Sequence, residues 1–134
     1  MNETYVTLCG WLGGDVQLRE AGGVPVASFR VASTPRRYQR KTDTWENGAT
    51  QWYSVNAWRA LATNCDRSLR RGDPVVVHGR LTVRAWINKA GVEVTTFEVE
   101  AAFVGHDLNR GTSEFRRRKL TAADATSEEA APAA

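Results

Sequence analysis

At 134 residues the chain has the size of one domain and is too short for two ordinary ones. Its 42% hydrophobic and 25% charged residues are those of a globular domain. They exclude a chain disordered throughout or a collagen-like one, and no apolar run nears the ~20 residues of a membrane-spanning helix. The net charge of +3 is unevenly spread. Arg36, Arg37, Arg40 and Lys41 fall within six positions, and Arg116, Arg117, Arg118 and Lys119 form a second run. Local cationic clusters of this kind suit a polyanionic partner.

The start, Met1-Asn2-Glu3-Thr4, lacks a basic stretch followed by an apolar run, so a cytoplasmic location is expected. The two cysteines, Cys9 and Cys65, and the two histidines, His78 and His106, show no short ligand spacing, which argues against a zinc site. There is no glycine-rich phosphate loop and no His-x-Glu with Pro-Cys. Neither an enzyme nor a cofactor is therefore expected.

Taken in order, residues 5–9 read as a strand, and Gly13-Gly14 mark a turn. Residues 16–20 alternate, Gly22-Gly23 turn the chain, and 24–34 alternate again. Ala27, Phe29 and Val31 share one face; Val24, Val26, Ser28 and Arg30 share the other. Pro35 closes this hairpin. Residues 36–50 form a long, polar, charged loop, of a length often tied to function. Strand character returns over 51–59.

Residues 60–71 read as the one helix, with Leu61, Ala62, Cys65 and Leu69 on its apolar side. Arg70-Arg71 would suit the helix dipole and Gly72 would stop the helix. A long strand over 74–87, a turn at Asn88-Lys89-Ala90-Gly91 and a last strand over 92–104 follow. The Ala-rich residues 111–134 read as a flexible tail after a domain of residues 1–110. Strands with one helix between the third and fourth suggest an all-β fold with one helix, an OB-fold five-stranded Greek-key barrel.

The tryptophans give this barrel a candidate site. Trp52 and Trp58 lie six apart on one strand and so share a face with Ser54 and Asn56, while Tyr53, Val55 and Ala57 point to the core. Trp86 follows Arg80, Thr82 and Arg84 at even spacing, a basic outward face ending in a flat ring. Single-strand binding needs aromatic platforms for bases and cations for phosphates. Trp52, Trp58, Trp86 and Tyr38, with Arg36, Arg37, Arg40, Lys41, Arg59, Arg84 and Lys89, supply both. Each tryptophan taken singly could instead pack in the core or at a subunit interface. Trp11 reads as packing at a strand end; Trp45 could stack or merely cover the barrel. Glu93, Glu98 and Glu100 read as surface alternation.

Several segments resemble the bacterial single-stranded DNA-binding protein (SSB) family. They are Leu8-Cys9-Gly10-Trp11-Leu12-Gly13-Gly14-Asp15, Phe29-Arg30-Val31-Ala32-Ser33, Gln51-Trp52-Tyr53-Ser54-Val55 with Trp58, Leu69-Arg70-Arg71-Gly72-Asp73-Pro74-Val75, and Val77-His78-Gly79-Arg80-Leu81 to Arg84-Ala85-Trp86. The resemblance runs in order over about residues 4–108. It implies that Trp52, Trp58, Trp86 and the Tyr38 region stack bases, and that the chain forms a homotetramer around which single-stranded DNA wraps. The implied role is sequence-independent protection of single strands in DNA replication, recombination, repair or chromosome segregation. The alternative is an OB-fold replication-restart or RNA-binding accessory protein.

The short tail ends Ser127-Glu128-Glu129-Ala130-Ala131-Pro132-Ala133-Ala134, without the acidic tip and final Phe through which the family recruits repair proteins. Trp11 and Cys9 also depart from the family pattern of a small polar and an aliphatic residue. The family pairs its first strands across a two-fold axis, which implies that Cys9 could meet its own copy and form an inter-subunit disulfide; the other reading is an inert small hydrophobe.

Overall fold

A computed structural model describes residues 2–117. Eight strands and one helix run in the order β1 (Thr4–Leu12), β2 (Gln17–Ala21), β3 (Val24–Ser33), β4 (Arg36–Gln39), β5 (Thr44–Asn47), β6 (Gln51–Trp58), α1 (Ala60–Ser68), β7 (Pro74–Ile87) and β8 (Glu93–His106). The main sheet has the order β1-β7-β8-β6-β3-β2, and a β1–β3 pairing closes it into a barrel. β3 holds Trp11 and Leu12 of β1 opposite Ala32 and Val31, and β2 further along. β1 and β2 are thus successive pieces of the first strand of a five-stranded OB barrel. The parallel β6–β8 pairing completes the Greek key.

Gly10 makes the closure possible, since a Cβ there would collide with the Ala32 carbonyl. Gly22 and Gly23, both at positive φ, form the tight hairpin turn between β2 and β3, where two such residues in a row match the strand twist.

Alternation places Phe29, Val31, Val55, Ala57, Val75, Val77 and Val99 inside the barrel, with Leu8 and Leu12 from β1. Ala62, Cys65 and Leu69 plug one end. Val26 departs from the alternation: it lies on the outer side, yet is fully buried, flanked in register by Arg19 and Trp58.

The helix is shorter than the sequence suggests. It stops at Ser68, because Leu69 turns extended to bury its side chain in the core. Arg70 lies beyond the helix and reaches back with its guanidinium to the carbonyls of Asp66, Arg67 and Leu69. Gly72, at positive φ, serves the turn into β7 rather than the helix stop. Asp73 ties this turn together, accepting the Arg70 N–H at 3.0 Å and facing His106 Nε2 at 3.1 Å.

The loop read over 36–50 is also corrected: it contains the two-stranded β4–β5 sheet, with Tyr38 opposite Trp45. The segment after β8 stays on the barrel through Asp107, whose N–H donates to the Pro74 carbonyl, and through Ser113, whose Oγ lies 2.7 Å from His106 Nδ1. Of these two contacts, that of Ser113 lies beyond residue 110. Beyond residue 117 the tail, with Arg118 and Lys119, lies outside the described residues.

Candidate nucleic-acid interface

The outer face of β3, β6, β8 and β7 carries the candidate site. β6 presents Trp52, Ser54, Asn56 and Trp58 outward, and its register with β3 sets Val26, Ser28, Arg30 and Ala32 beside them. On the other side, Ser54 and Asn56 meet Glu98 and Glu100 of β8, which face Thr82 and Arg80 of β7. One turn of the pleat further on, Thr96 faces Arg84, and Val94 faces Trp86. The three tryptophans therefore share one surface. Trp52 and Trp86 lie toward one end of it, and Trp58 lies at the other, about 20 Å along β6 from Trp52 at ~3.3 Å per residue.

All three rings are open to solvent: Trp52 is 41% exposed, Trp58 44% and Trp86 50%. Their orientations are held from below. The Arg30 guanidinium lies 4.5 Å from the centroid of the Trp52 ring, within cation–π range. A Cβ at Gly13 would strike the same ring, so the glycine leaves room for it. Trp58 Nε1 donates to Glu100 Oε2 at 2.7 Å, and Trp86 Nε1 donates to Thr96 Oγ1 at 3.0 Å. Trp58 and Trp86 thus spend their one polar group on the sheet and keep ring surface available for stacking.

The cations are distributed differently from the basic outward face expected on β7. Arg80 faces Glu3 at 3.6 Å, and Arg84 faces Glu98 at 3.5 Å. Both are exposed pairs of small energetic weight, but they neutralise that part of the face. Arg36 and Arg37 stand on β4, Arg40 and Lys41 in the turn that follows it, and Lys89 in the β7–β8 turn, all exposed. Arg59 is exposed at the junction of β6 and α1, with φ 61, next to Trp58. Tyr38 sits on the β4–β5 hairpin, apart from the three tryptophans, and its hydroxyl donates to Asp43. Arg36, Arg37, Arg40, Lys41, Arg59 and Lys89 thus surround the aromatic face, whereas Arg80 and Arg84 lie on it, each facing a carboxylate.

Arg30, Glu98 and Glu100 also belong to this surface, where alternation alone gives them no role. Alternation placed Arg30 outward, and only the β3–β6 register brings it to Trp52. Both cysteines are free; Cys9 is exposed on β1 and Cys65 buried. Burial pushes the Cys65 thiol up to about 11. Trp11, expected to pack at a strand end, is instead 46% exposed there, with the Arg110 guanidinium 5.7 Å from its ring centroid.

A closed OB barrel with three oriented indoles on one open face defines a binding module rather than a catalytic cleft. Residues 3–107 match the single-strand binding protein family. Single-stranded DNA-binding protein 2 of Streptomyces avermitilis is 46% identical over 117 residues, 87% of this chain and 73% of that one. Single-stranded DNA-binding protein 1 of Streptomyces coelicolor is 42% identical over 123 residues, 92% of this chain and 78% of that one. The crystal structure of a small single-stranded DNA-binding protein from Streptomyces coelicolor superposes with a TM-score of 0.76 at 40% identity, covering 83% of this chain and all of that one. The chain belongs to the single-strand binding protein family. Among the described residues no helix is long and apolar enough to cross a membrane.

Proposed function

We propose that this protein binds single-stranded DNA without sequence preference, and that it protects single strands exposed in DNA replication, recombination, repair or chromosome segregation at the nucleoid. The observation that carries this reading is the set of three open indole rings on one face, each oriented by the sheet. Trp52, Trp58 and Trp86 stack bases, and Tyr38 adds a ring on the hairpin. Arg36, Arg37, Arg40, Lys41, Arg59 and Lys89 receive phosphates around the rim, and Arg84 does so in competition with Glu98.

The working form is a homotetramer. Among the described residues, Thr4–Gly10 of β1 pair with β7 alone, which leaves their other edge open to a second copy. An isologous β1–β1 pairing brings Cys9 near its own counterpart, where a disulfide between subunits becomes geometrically accessible.

The test is titration of intrinsic tryptophan fluorescence with oligothymidylate, duplex DNA and structured RNA at several salt concentrations, with mass measured in solution. Strong quenching by oligothymidylate, weak response to duplex and a tetramer mass are expected. Preference for structured RNA would favour an RNA-binding accessory instead.

A further inference from the structure

Trp11 is exposed at the end of β1, and the face built from Trp52, Trp58 and Trp86 leaves it without a task. The strand registers place it beside that face. Trp11 lies opposite Ala32 of β3, and Ala32 lies opposite Trp52 of β6, so the two indoles flank one small residue. Parity agrees, because the neighbouring row of Leu12, Val31 and Tyr53 belongs to the core. The Trp52 ring leans across this gap. Its far edge occupies the space of a Cβ on Gly13, two residues beyond Trp11 on the same side of the chain. Gly13 N–H continues the β1–β3 ladder by donating to the Arg30 carbonyl at 2.9 Å.

Each of these two rings has an arginine beside it. Arg30 lies 4.5 Å from the Trp52 centroid, and Arg110 lies 5.7 Å from the Trp11 centroid. The segment after β8 brings Arg110 there. Asp107 N–H donates to the carbonyl of Pro74, the β7 partner of Trp11. Arg110 N–H then donates to the Asp107 carbonyl at 3.1 Å, and Asp107 Oδ1 accepts the Asn109 N–H at 3.0 Å, which closes a tight turn. An exposed indole beside a cation is the pairing that single-strand surfaces use. Position on the sheet also separates Trp11 from the edge given to assembly. Among the described residues Thr4–Gly10 have β7 alone, whereas Trp11 is flanked by both β3 and β7.

We propose that Trp11 is a base-stacking residue, and that Trp11 with Arg110 extends the single-strand track from Trp52 onto the end of β1. A base stacks on the Trp11 ring, and Arg110 receives a phosphate beside it. Trp11 departs from the small polar residue of the family pattern, so this contact belongs to this chain. The proposal rests on the single-strand reading of the barrel face and extends it to a strand outside that face.

The test measures oligothymidylate affinity against salt, with mass in solution, for the full chain and for Trp11→Leu, Trp11→Phe, Arg110→Gln and Trp52→Ala. Trp11→Leu keeps an apolar side chain at the strand end but no ring. It should bind about 5- to 150-fold more weakly, the fold-change of ~1–3 kcal/mol for one stacked base. Its slope of log affinity against log salt should stay unchanged, since no phosphate contact is removed. Trp11→Phe keeps a ring and should recover most of the loss. Arg110→Gln should make the slope shallower by about 0.7, the share of one single-strand phosphate. Equal losses in Trp11→Leu and Trp11→Phe, or a shallower slope in Trp11→Leu, would mean that the ring only shapes the strand end or holds Arg110, and would overturn the proposal. An unchanged slope in Arg110→Gln would overturn it by removing the phosphate contact. A changed mass in Trp11→Leu would assign the ring to contact between copies and equally overturn it. Wild-type affinity in Trp11→Leu, with Trp52→Ala weakened, would overturn it and leave the single-strand reading standing. No oligothymidylate binding by the unaltered chain would remove both readings.

Discussion

Gly13 and Trp52 are coupled by space. The ring lies where a Cβ on residue 13 would be, and the Arg30 guanidinium holds it there. Gly13→Ala forces the indole off this position without demanding an unusual backbone. The variant should bind oligothymidylate more weakly by up to the ~1–3 kcal/mol of one stacked base, with Trp52 emission shifted. Unchanged affinity and emission would show that the ring's position is immaterial. The inward set Val55 and Ala57, the outward set Trp52 and Trp58, and Cys65 on the core side of the helix could all be read from periodicity alone. The partners of those rings could not, because Arg30 and Glu100 reach Trp52 and Trp58 through strand registers formed between distant segments.

The two thiols should separate in the same way. Exposed Cys9 should react at once with a thiol reagent, and Cys65 only on unfolding. The Cys65 pKa is raised by burial, so the folded state holds that proton more tightly than the unfolded chain does. Its contribution to stability is complete below the unfolded thiol pKa and is lost as pH rises from there toward about 11. Chemical denaturation across that alkaline range should show a fall in stability that Cys65→Ala lacks.

At the scale of elements, β8 explains a feature that alternation alone had made look incidental. Glu98 and Glu100 stand in the middle of the aromatic face, one against Arg84 and the other under Trp58. Carboxylates there repel a phosphate chain and occupy a cation that would otherwise receive it. Replacing Glu98 by Gln should strengthen single-strand binding and steepen its salt dependence, because Arg84 is released to the phosphates. Replacing Glu100 by Gln keeps a hydrogen-bond acceptor for Trp58 and should strengthen binding with little change in slope. Weaker binding in both variants would mean that the carboxylates contact bases directly. The β4–β5 hairpin reads as a loop in the sequence because its strands are four residues each, exposed and charged, so no buried face marks them. The helix end was misplaced for the opposite reason. Gly72 and the arginines resemble a helix stop, but burial of Leu69 takes the backbone out of the helix first.

At the scale of the whole molecule, the order of strands and the position of the helix are legible because β1, β3, β6, β7 and β8 each turn one face into the barrel. How copies assemble was carried by resemblance alone. The structure adds a physical reason for the proposed assembly: among the described residues, an edge of β1 has no ladder partner, on a strand presenting Tyr5, Cys9 and Trp11 to solvent. Where the two-fold axis passes at Cys9, that residue lies opposite itself, so a charge placed there is met by its own like charge. Cys9→Lys should therefore lower the mass in solution by separating the β1 edges, while each barrel keeps its indole face and folds normally by circular dichroism. In the unaltered protein, mild oxidation should give a covalent dimer on a non-reducing gel that disappears in Cys9→Ser and persists in Cys65→Ser. Monomer bands throughout would rule out the bridge. An unaltered mass in Cys9→Lys would go further and place the contact between copies on a surface other than the β1 edge.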